Sequence, residues 1–175
     1  MKETFKKGNE FKIDSISLDE WKSYRDLRLD SLASDPQSFA APLKKYSNLD
    51  ENGWKEKIKK CLSKNNAMFI ANSSDGPIGM MGYYPEGNDT VNIYGVYVKK
   101  DFRGQGVSDK IMESILNSLD NNEEIKFIKL TVNKEQKAAI DFYKRFGFEE
   151  VGEIKDVQMG NGEIYDELSM EKEIK

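Results

Sequence analysis

The sequence predicts an α/β protein of the α+β kind, a mostly antiparallel central sheet of about seven strands flanked by helices on both faces. Three observations point there. Short β-rich runs bounded by turn residues follow one another between residues 67 and 98, which argues for hairpins rather than helical crossovers. One of these runs, "TVNIYGVYV", is apolar on both faces and so needs cover on both sides. Apolar residues at helical spacing flank that block and supply the cover.

The elements follow in order. "EFKIDSI" alternates Phe11, Ile13 and Ile16 as a first strand. "SLDEWKSYRDLRLDSLASDP" opens with the capping-box pair Ser17 and Glu20. It continues as a helix with Leu18, Trp21, Tyr24 and Leu27 in one stripe, widened by Leu29 and Leu32 and stopped before Pro36. "SDPQSFAAPLKKYSN" reads as a loop leading to a second helix near residues 49 to 64. "AMFIANS", the turn "SDGP" and "IGMMGYY" form a hairpin, and "PEGND" turns into "TVNIYGVYV", giving three consecutive antiparallel strands. In the third, Val91, Ile93 and Tyr97 are assigned to one face and Tyr94, Val96 and Val98 to the other.

From Gly106, residues Val107, Ile111, Ile115 and Leu119 recur every fourth position beside Met112 and Leu116, an amphipathic helix of about 15 residues. "IKFIKLTV" is the next strand. "NKEQKAAIDFYKRFGF" is a helix with Ala139, Phe142, Tyr143 and Phe146 on one side, closed by Gly147 in the left-handed conformation. A last hairpin runs through "MGNGE".

A chain of 175 residues without internal repeats or low-complexity tracts is expected to form a single domain, residues 1–175. Lys plus Arg 27 against Asp plus Glu 31 leaves a net charge of −4 with the signs interspersed. That balance disfavours a nucleic-acid partner and mildly favours cationic ones such as amines. No apolar run approaches the roughly 18 residues of a membrane span, and "MKETFKKGNEFKID" lacks the apolar core of a signal peptide. A cytoplasmic protein with no membrane partner is the expectation.

The chain has no histidine and one cysteine, Cys61. Those absences remove Ser-His-Asp and Cys-His nucleophiles, His-rich zinc sites and an imidazole base, and no metal is expected. Cys61 shares helical spacing with Ile58 and Leu62 and reads as a small core residue. Any catalysis falls to carboxylates, tyrosine, lysine, backbone groups or water.

The stretch "VYVKKDFRGQGVSDK" passes from strand to helix through Arg103, Gly104, Gln105 and Gly106. Such a turn leaves several N–H groups converging at the positive end of a helix dipole, a place suited to phosphate. The two glycines let a diphosphate approach the main chain, and Arg103 adds fixed positive charge. A nucleotide-hydrolase loop would need a Gly-Lys-Ser/Thr ending that is missing here, and a dinucleotide fingerprint would need glycine where Asp109 stands.

"VYVKKDFRGQGVS" resembles the acetyl-coenzyme A motif of the GNAT superfamily of N-acetyltransferases, V-x-[DKP]-x-x-[QR]-x-x-G-x-[GA]. "NKEQKAAIDFYKRFGFEEVG" resembles the second half of that motif region, which together spans about residues 91–148. The likeness runs from about residue 66 to the C-terminus, and "YRDLRLDSLASDPQSFA" is similar to the first helix of many bacterial members. The resemblance implies a mixed sheet whose fourth and fifth strands splay apart, with the pantetheine arm in the gap and the diphosphate on the glycine turn.

Carried onto this chain, the resemblance gives Val96, Tyr97 and Val98 main-chain bonds to pantetheine. Arg103, Gly104, Gln105, Gly106, Val107, Ser108 and Asp109 would surround the diphosphate, and Tyr143 would protonate the departing sulfur. Two positions depart from the family pattern. Ser108 stands where the motif ends in Gly or Ala, and Gln136 stands where an Asn is common, with Asn133 nearby as a substitute. A bulge at Gly95 would free a backbone N–H for the oxyanion. The positions where relatives carry a basic Glu hold Asn92 and Thr131, and Glu86 and Asp89 lie in the preceding turn. Tyr24, Arg28, Phe39, Tyr83, Tyr84 and Tyr165 are the candidates to line an acceptor pocket.

The implied activity is acetyl transfer from acetyl-CoA, a co-substrate, to a primary amine of a small molecule or peptide within a ternary complex. The rival expectations are an acetyl-CoA-binding or sensing module without turnover and a structural interaction domain. Monomer and homodimer stay open.

Overall fold

The computed structural model describes residues 10–175; the first nine residues, which include most of the stretch examined for a signal core, lie outside the described residues. The chain runs β1 (Phe11–Ser15), α1 (Trp21–Ser34), α2 (Leu43–Ser47), α3 (Glu51–Cys61), β2 (Ala67–Ser73), β3 (Gly76–Glu86) and β4 (Thr90–Val98). It continues through α4 (Val107–Asp120), β5 (Phe127–Asn133), α5 (Lys137–Arg145), β6 (Glu149–Gln158) and β7 (Ile164–Glu173). Seven strands form one mixed sheet in the order β1-β2-β3-β4-β5-β7-β6, antiparallel at every seam except β4–β5.

Local chemistry explains the element ends. The Glu20 carboxylate accepts the Ser17 N–H at 2.7 Å, fixing a 3₁₀ turn that leads into α1. Asp50 caps α3 by accepting the Gly53 N–H at 2.8 Å. Gly147, at φ +82°, ends α5 in the left-handed region.

Two apolar layers hold the sheet. Val91, Ile128, Leu130 and Met170 face α4, whose Ile111, Ile115 and Leu119 are fully buried. On the other face Met68, Ile70 and Met80 pack against Leu27 of α1 and Trp54 and Ile58 of α3. No helix among the described residues is long and apolar enough to cross a membrane.

The structure corrects three details of the sequence reading. The expected loop before the second helix contains α2, and that helix ends at Cys61 rather than near 64. In α5 the buried residues are Ile140 and Tyr143, while Ala139, Phe142 and Phe146 pack only partly against the core. The face assignment in β4 also changes. Gly82 pairs with Tyr94 and Met80 with Tyr97, so Gly95 and Val96 together oppose Met81 alone, a bulge with Gly95 at φ +64°. The extra residue reverses the alternation beyond it, which puts Val96 and Val98 with Val91 and Ile93, and Tyr97 with Tyr94.

The β4–β5 seam positions the site. Only Thr90–Asn92 pairs with Phe127–Lys129; beyond that, β4 runs on to Val98 without a partner on this side while β5 stays paired to β7 to its end at Asn133. The two parallel strands diverge, and their facing edges open into a cleft.

Candidate active site

The cleft between the diverging strands has a volume of about 840 Å³. Its walls come from the ends of β4 and α1, the turn into α4, and α5. Of the residues singled out in sequence, Val96, Tyr97, Val98, Arg103, Gly104, Gly106, Val107, Ser108, Asp109, Gln136 and Tyr143 line it. Gln105 and Asn133 do not.

At one end the main chain is arranged for an anion. Gly104 and Gly106 adopt φ +71° and +79°, and open space surrounds the position a Cβ would take at either residue. Any L side chain there would be strained, and its Cβ would project into the space through which a ligand reaches the backbone. Gly106 caps α4, and its carbonyl accepts the Lys110 N–H at 3.1 Å. The N–H groups of Val107, Ser108 and Asp109 therefore have no intrahelical partner. Asp109 is held by Arg145 at 2.8 Å, so a cation from α5 is kept at the same rim.

Arg103 is more constrained than a rim charge. Its Nε donates to the Val98 carbonyl at 2.9 Å, its guanidinium bonds Asp35 at the end of α1, and it lies over the Tyr97 ring with 5.8 Å to the centroid. One of the carbonyls expected to face pantetheine is thus already engaged. The Tyr97 hydroxyl in turn donates to Asp30 at 2.7 Å, with Ser34 Oγ 3.1 Å away. Burial, with the bond to Asp30 and its charge, pushes the Tyr97 phenol up to about 12 against the opposing Ser34 contact.

Two amides tie the opposite wall together. Gln136 Nε2 bonds Ser38 Oγ, while Asn133 Nδ2 donates to the Gln37 carbonyl at 3.3 Å and its Oδ1 accepts the Glu135 N–H at 2.9 Å. Asn133 is 3% exposed and serves the corner between β5 and α5. Together the amides strap the short turn Pro36–Ser38 against the start of α5.

Tyr143 lines the cleft, 5% exposed, its ring packed edge-on against Phe142 and Phe148 at 5.2 and 5.8 Å. Its hydroxyl has no hydrogen-bond partner among the described residues. Burial alone pushes the phenol well above its ordinary value, which keeps the proton on oxygen. The bulge at Gly95 and Val96 interrupts the β3–β4 ladder beyond Asn92, the last residue of β4 paired to β5.

The carboxylates that line the cleft are Asp35, Asp109 and Glu135, and the first two are paired to Arg103 and Arg145. Asn92 Nδ2 donates to Glu86 at 2.6 Å, and Thr90 Oγ1 donates to Asp89 at 3.1 Å, so both turn carboxylates are engaged locally and neither lines the cleft. Of the acceptor candidates, Phe39 lines the cleft and carries the stacked Arg28 guanidinium. Tyr84 is exposed and stacks on Tyr94, Tyr24 is buried against Trp54, and Tyr165 lies on the last hairpin near Asn161. Tyr83 faces the other layer, its hydroxyl 3.1 Å from Ser118 of α4, and does not line the cleft.

Sequence reasoning missed Asp35, Ser38, Phe102, Phe142 and Arg145 as cleft residues. Arg145 had a local signal, two positions past Tyr143 on the same helix. Asp35 and Ser38 had none, because they enter from the far end of α1.

The family model described as "Acetyltransferase (GNAT) domain" matches residues 33–162, most of the chain and the whole cleft. The chain belongs to the GNAT acetyltransferase family. It is similar to the L-amino acid N-acetyltransferase AaaT of Escherichia coli, 32% identical over 77 residues, which cover 44% of this chain and 48% of that protein. The chain spans less than half the length of the curated relatives it matches. In fold it is similar to a GNAT-family acetyltransferase from Streptococcus pneumoniae, with a TM-score of 0.81, 17% identity, and coverage of 95% of this chain and 100% of that one. It is also similar to the ribosomal L7/L12 alpha-N-protein acetyltransferase RimL in complex with coenzyme A, with a TM-score of 0.78, 13% identity, and 94% of each chain covered.

Proposed function

We propose that this GNAT protein, as a single domain, transfers an acetyl group from acetyl-CoA to the primary amine of a small molecule or peptide, directly and within a ternary complex. The observation that carries the reading is the meeting, in one cleft, of three features. These are an anion-binding glycine turn, an unpaired edge of β4 broken by a bulge, and a buried tyrosine hydroxyl without a partner.

The residues fit the co-substrate. The N–H groups at Gly106 through Asp109 and the dipole of α4 receive the diphosphate, with Arg103 and Arg145 beside it. The unpaired N–H and C=O groups of β4 hold the pantetheine arm as an added strand would be held. In the transfer, the amine nitrogen bonds to the thioester carbon, the C–S bond breaks, the amine proton leaves to water, the thiolate takes the Tyr143 proton, and the Tyr143 phenolate regains a proton from water.

On reference values near 10 for a phenol and 8.5 for a thiol, the proton transfer from Tyr143 to the thiolate is uphill by about 2 kcal/mol. Burial raises Tyr143 further, but the departing thiolate sits in the same apolar surroundings, so both partners rise together. No base is required beyond an amine that arrives neutral, which suits a site where Asn92 and Thr131 replace carboxylates. Desolvation in the cleft favours the neutral amine.

The engagement of Glu86, with Asp35 and Asp109 in the cleft already paired to Arg103 and Arg145, favours a second reading, an acetyl-CoA-binding module without turnover. Thiol release from acetyl-CoA, measured at mildly alkaline pH against amino acids, polyamines, aminoglycosides and peptides, separates the two. Amine-dependent release that disappears in Tyr143→Phe supports transfer. Calorimetric binding of acetyl-CoA with no release from any acceptor overturns it in favour of binding alone.

A further inference from the structure

Arg28 projects from α1 into a cage of rings. Its guanidinium carbon lies 4.9 Å from the centroid of Phe39, a cleft wall, and 5.0 Å from that of Tyr46 on α2. No carboxylate among the described residues pairs with it. The acids on its own helix are committed elsewhere, Asp26 to Arg25 and Asp30 to Tyr97. Its Nε is buried with no hydrogen-bond partner.

A half-buried guanidinium normally has a carboxylate, because desolvating a charge without a counterion costs several kcal/mol. Stacking on two rings recovers part of this, on the order of 1 kcal/mol each. Tyr46 takes one hydrogen bond from the guanidinium, but Nε stays unpaired, and in-plane N–H donors of this kind grip a carboxylate.

The neighbours add charge of the same sign. Lys57 of α3 lies over the Tyr46 ring at 4.5 Å and has no ion-pair partner among the described residues. Burial would raise the Tyr46 phenol, yet Arg28, Lys57 and Lys45 outweigh it and hold the phenol below its ordinary value. The titratable groups that feel Arg28 are the phenols of Tyr24, Tyr46 and Tyr94, and the Cys61 thiol, Lys57 and Lys45 act on those phenols in turn. The site is locally cationic on a chain whose net charge is −4, the reverse of what the overall balance favoured.

We infer that Arg28 is the docking point for a carboxylate on the acceptor, so that the preferred acceptors are small amines carrying a free carboxylate, of the amino acid class. The inference rests on the acetyl-transfer reading above and adds the acceptor class and the residue that selects it. Phe39 connects the two halves. Phe39 lines the cleft and the Arg28 guanidinium rests on its ring just outside that lining, so an acceptor whose amine lies in the cleft would reach Arg28 by extending its acid group past Phe39. Arg28 is a specificity residue; bond making and breaking stay with the cleft.

The test uses matched acceptors: phenylalanine, its amide and phenethylamine, then leucine, its amide and isoamylamine. Thiol release is followed with the wild type, Arg28→Gln and Arg28→Lys, together with acetyl-CoA affinity by calorimetry and the melting temperature of each variant. The wild type is expected to prefer the acids by roughly 10- to 100-fold in kcat/KM, mostly through KM, the size of a lost charged hydrogen bond. Arg28→Gln should erase that preference without changing acetyl-CoA affinity, and Arg28→Lys should keep part of it.

A second readout needs no turnover. N-acetylphenylalanine with coenzyme A should raise the melting temperature of the wild type more than its amide does, and not in Arg28→Gln. Equal or better use of the amides and amines by the wild type, a uniform loss on all acceptors in Arg28→Gln, or stabilisation indifferent to Arg28 would overturn the inference. Failure of acetyl transfer itself looks different: no thiol release from any member of either set.

Discussion

The two ends of the β4–β5 seam are built from the same pair of strands and do opposite things. At the closed end, Thr90–Asn92 and Phe127–Lys129 pair in register, and the Asp89 carbonyl accepts from both Lys126 and Phe127 N–H groups. At the open end, β5 keeps β7 while β4 bulges at Gly95 and faces nothing. Main-chain pairing that closes the strands at one end is missing at the other, where the Val98 carbonyl is instead taken by Arg103 Nε. The cleft is thus a strand divergence, and a backbone-binding ligand completes it as a further strand would.

The largest expected effect breaks the open end's chemistry alone. Tyr143→Phe removes one hydroxyl from a packed ring and is expected to lower kcat by about 10²- to 10⁴-fold, the range of general acid catalysis. Calorimetric affinity for acetyl-CoA should stay within about twofold, since the ring contacts with Phe142 and Phe148 survive. A loss of affinity equal to the loss of rate would make Tyr143 a packing residue.

Gly106→Val should come next. Valine at φ +79° is strained by at least 1–2 kcal/mol, and its side chain would project toward the space an anion needs. Acetyl-CoA dissociation constants are expected to rise by about tenfold or more. Asn92→Ala at the closed end should leave that affinity alone, and an equal response at both ends would remove the distinction drawn here.

The same contrast governs how much could be read from sequence. The coenzyme half of the cleft is contiguous: residues 96–109 and 136–143 form two local motifs whose spacing fixes a strand, a turn and two helices. Glycines at Gly104 and Gly106 are legible because the backbone demands them. The proposed acceptor side joins Arg28, Phe39, Tyr46, Lys57 and Tyr94, which only tertiary packing brings together. The α2 turn that carries Tyr46 is too short for a periodic signal. The Gly95 bulge was anticipated, yet its consequence for the faces of Val96, Tyr97 and Val98 was not, because a one-residue insertion leaves no mark on an apolar run. Asn133, a candidate ligand contact in sequence, has its amide bonded to Gln37 and Glu135 at the corner between β5 and α5, a role set by packing.

A smaller effect is expected at the joint between the halves. Arg103 bonds Asp35, at the end of the helix that carries Arg28, and Asp35 is only 16% exposed at its side chain. A diphosphate arriving at the turn competes with Asp35 for that guanidinium. Asp35→Asn should therefore free Arg103 and tighten acetyl-CoA by a few-fold, with a loss of about 1 kcal/mol in stability for a part-exposed pair. Weaker acetyl-CoA binding in Asp35→Asn would show instead that the ion pair positions Arg103 for the phosphate.

The least change is expected on the alkaline side of the pH profile. Tyr143 acts as an acid, so its contribution is present below its pKa and lost as pH rises through it. Burial raises that pKa above the ordinary phenol value near 10, and the neighbouring Tyr97 is pushed up to about 12. The amine acceptor works in the opposite sense, becoming neutral and reactive as pH rises. With hydrolysis of the thioester subtracted, kcat/KM should climb through pH 7–9 and then level without an alkaline fall below about pH 10. A fall near pH 8.5 would place the essential proton on a group far more acidic than a buried phenol, and Tyr143 would lose its role even if Tyr143→Phe were slow.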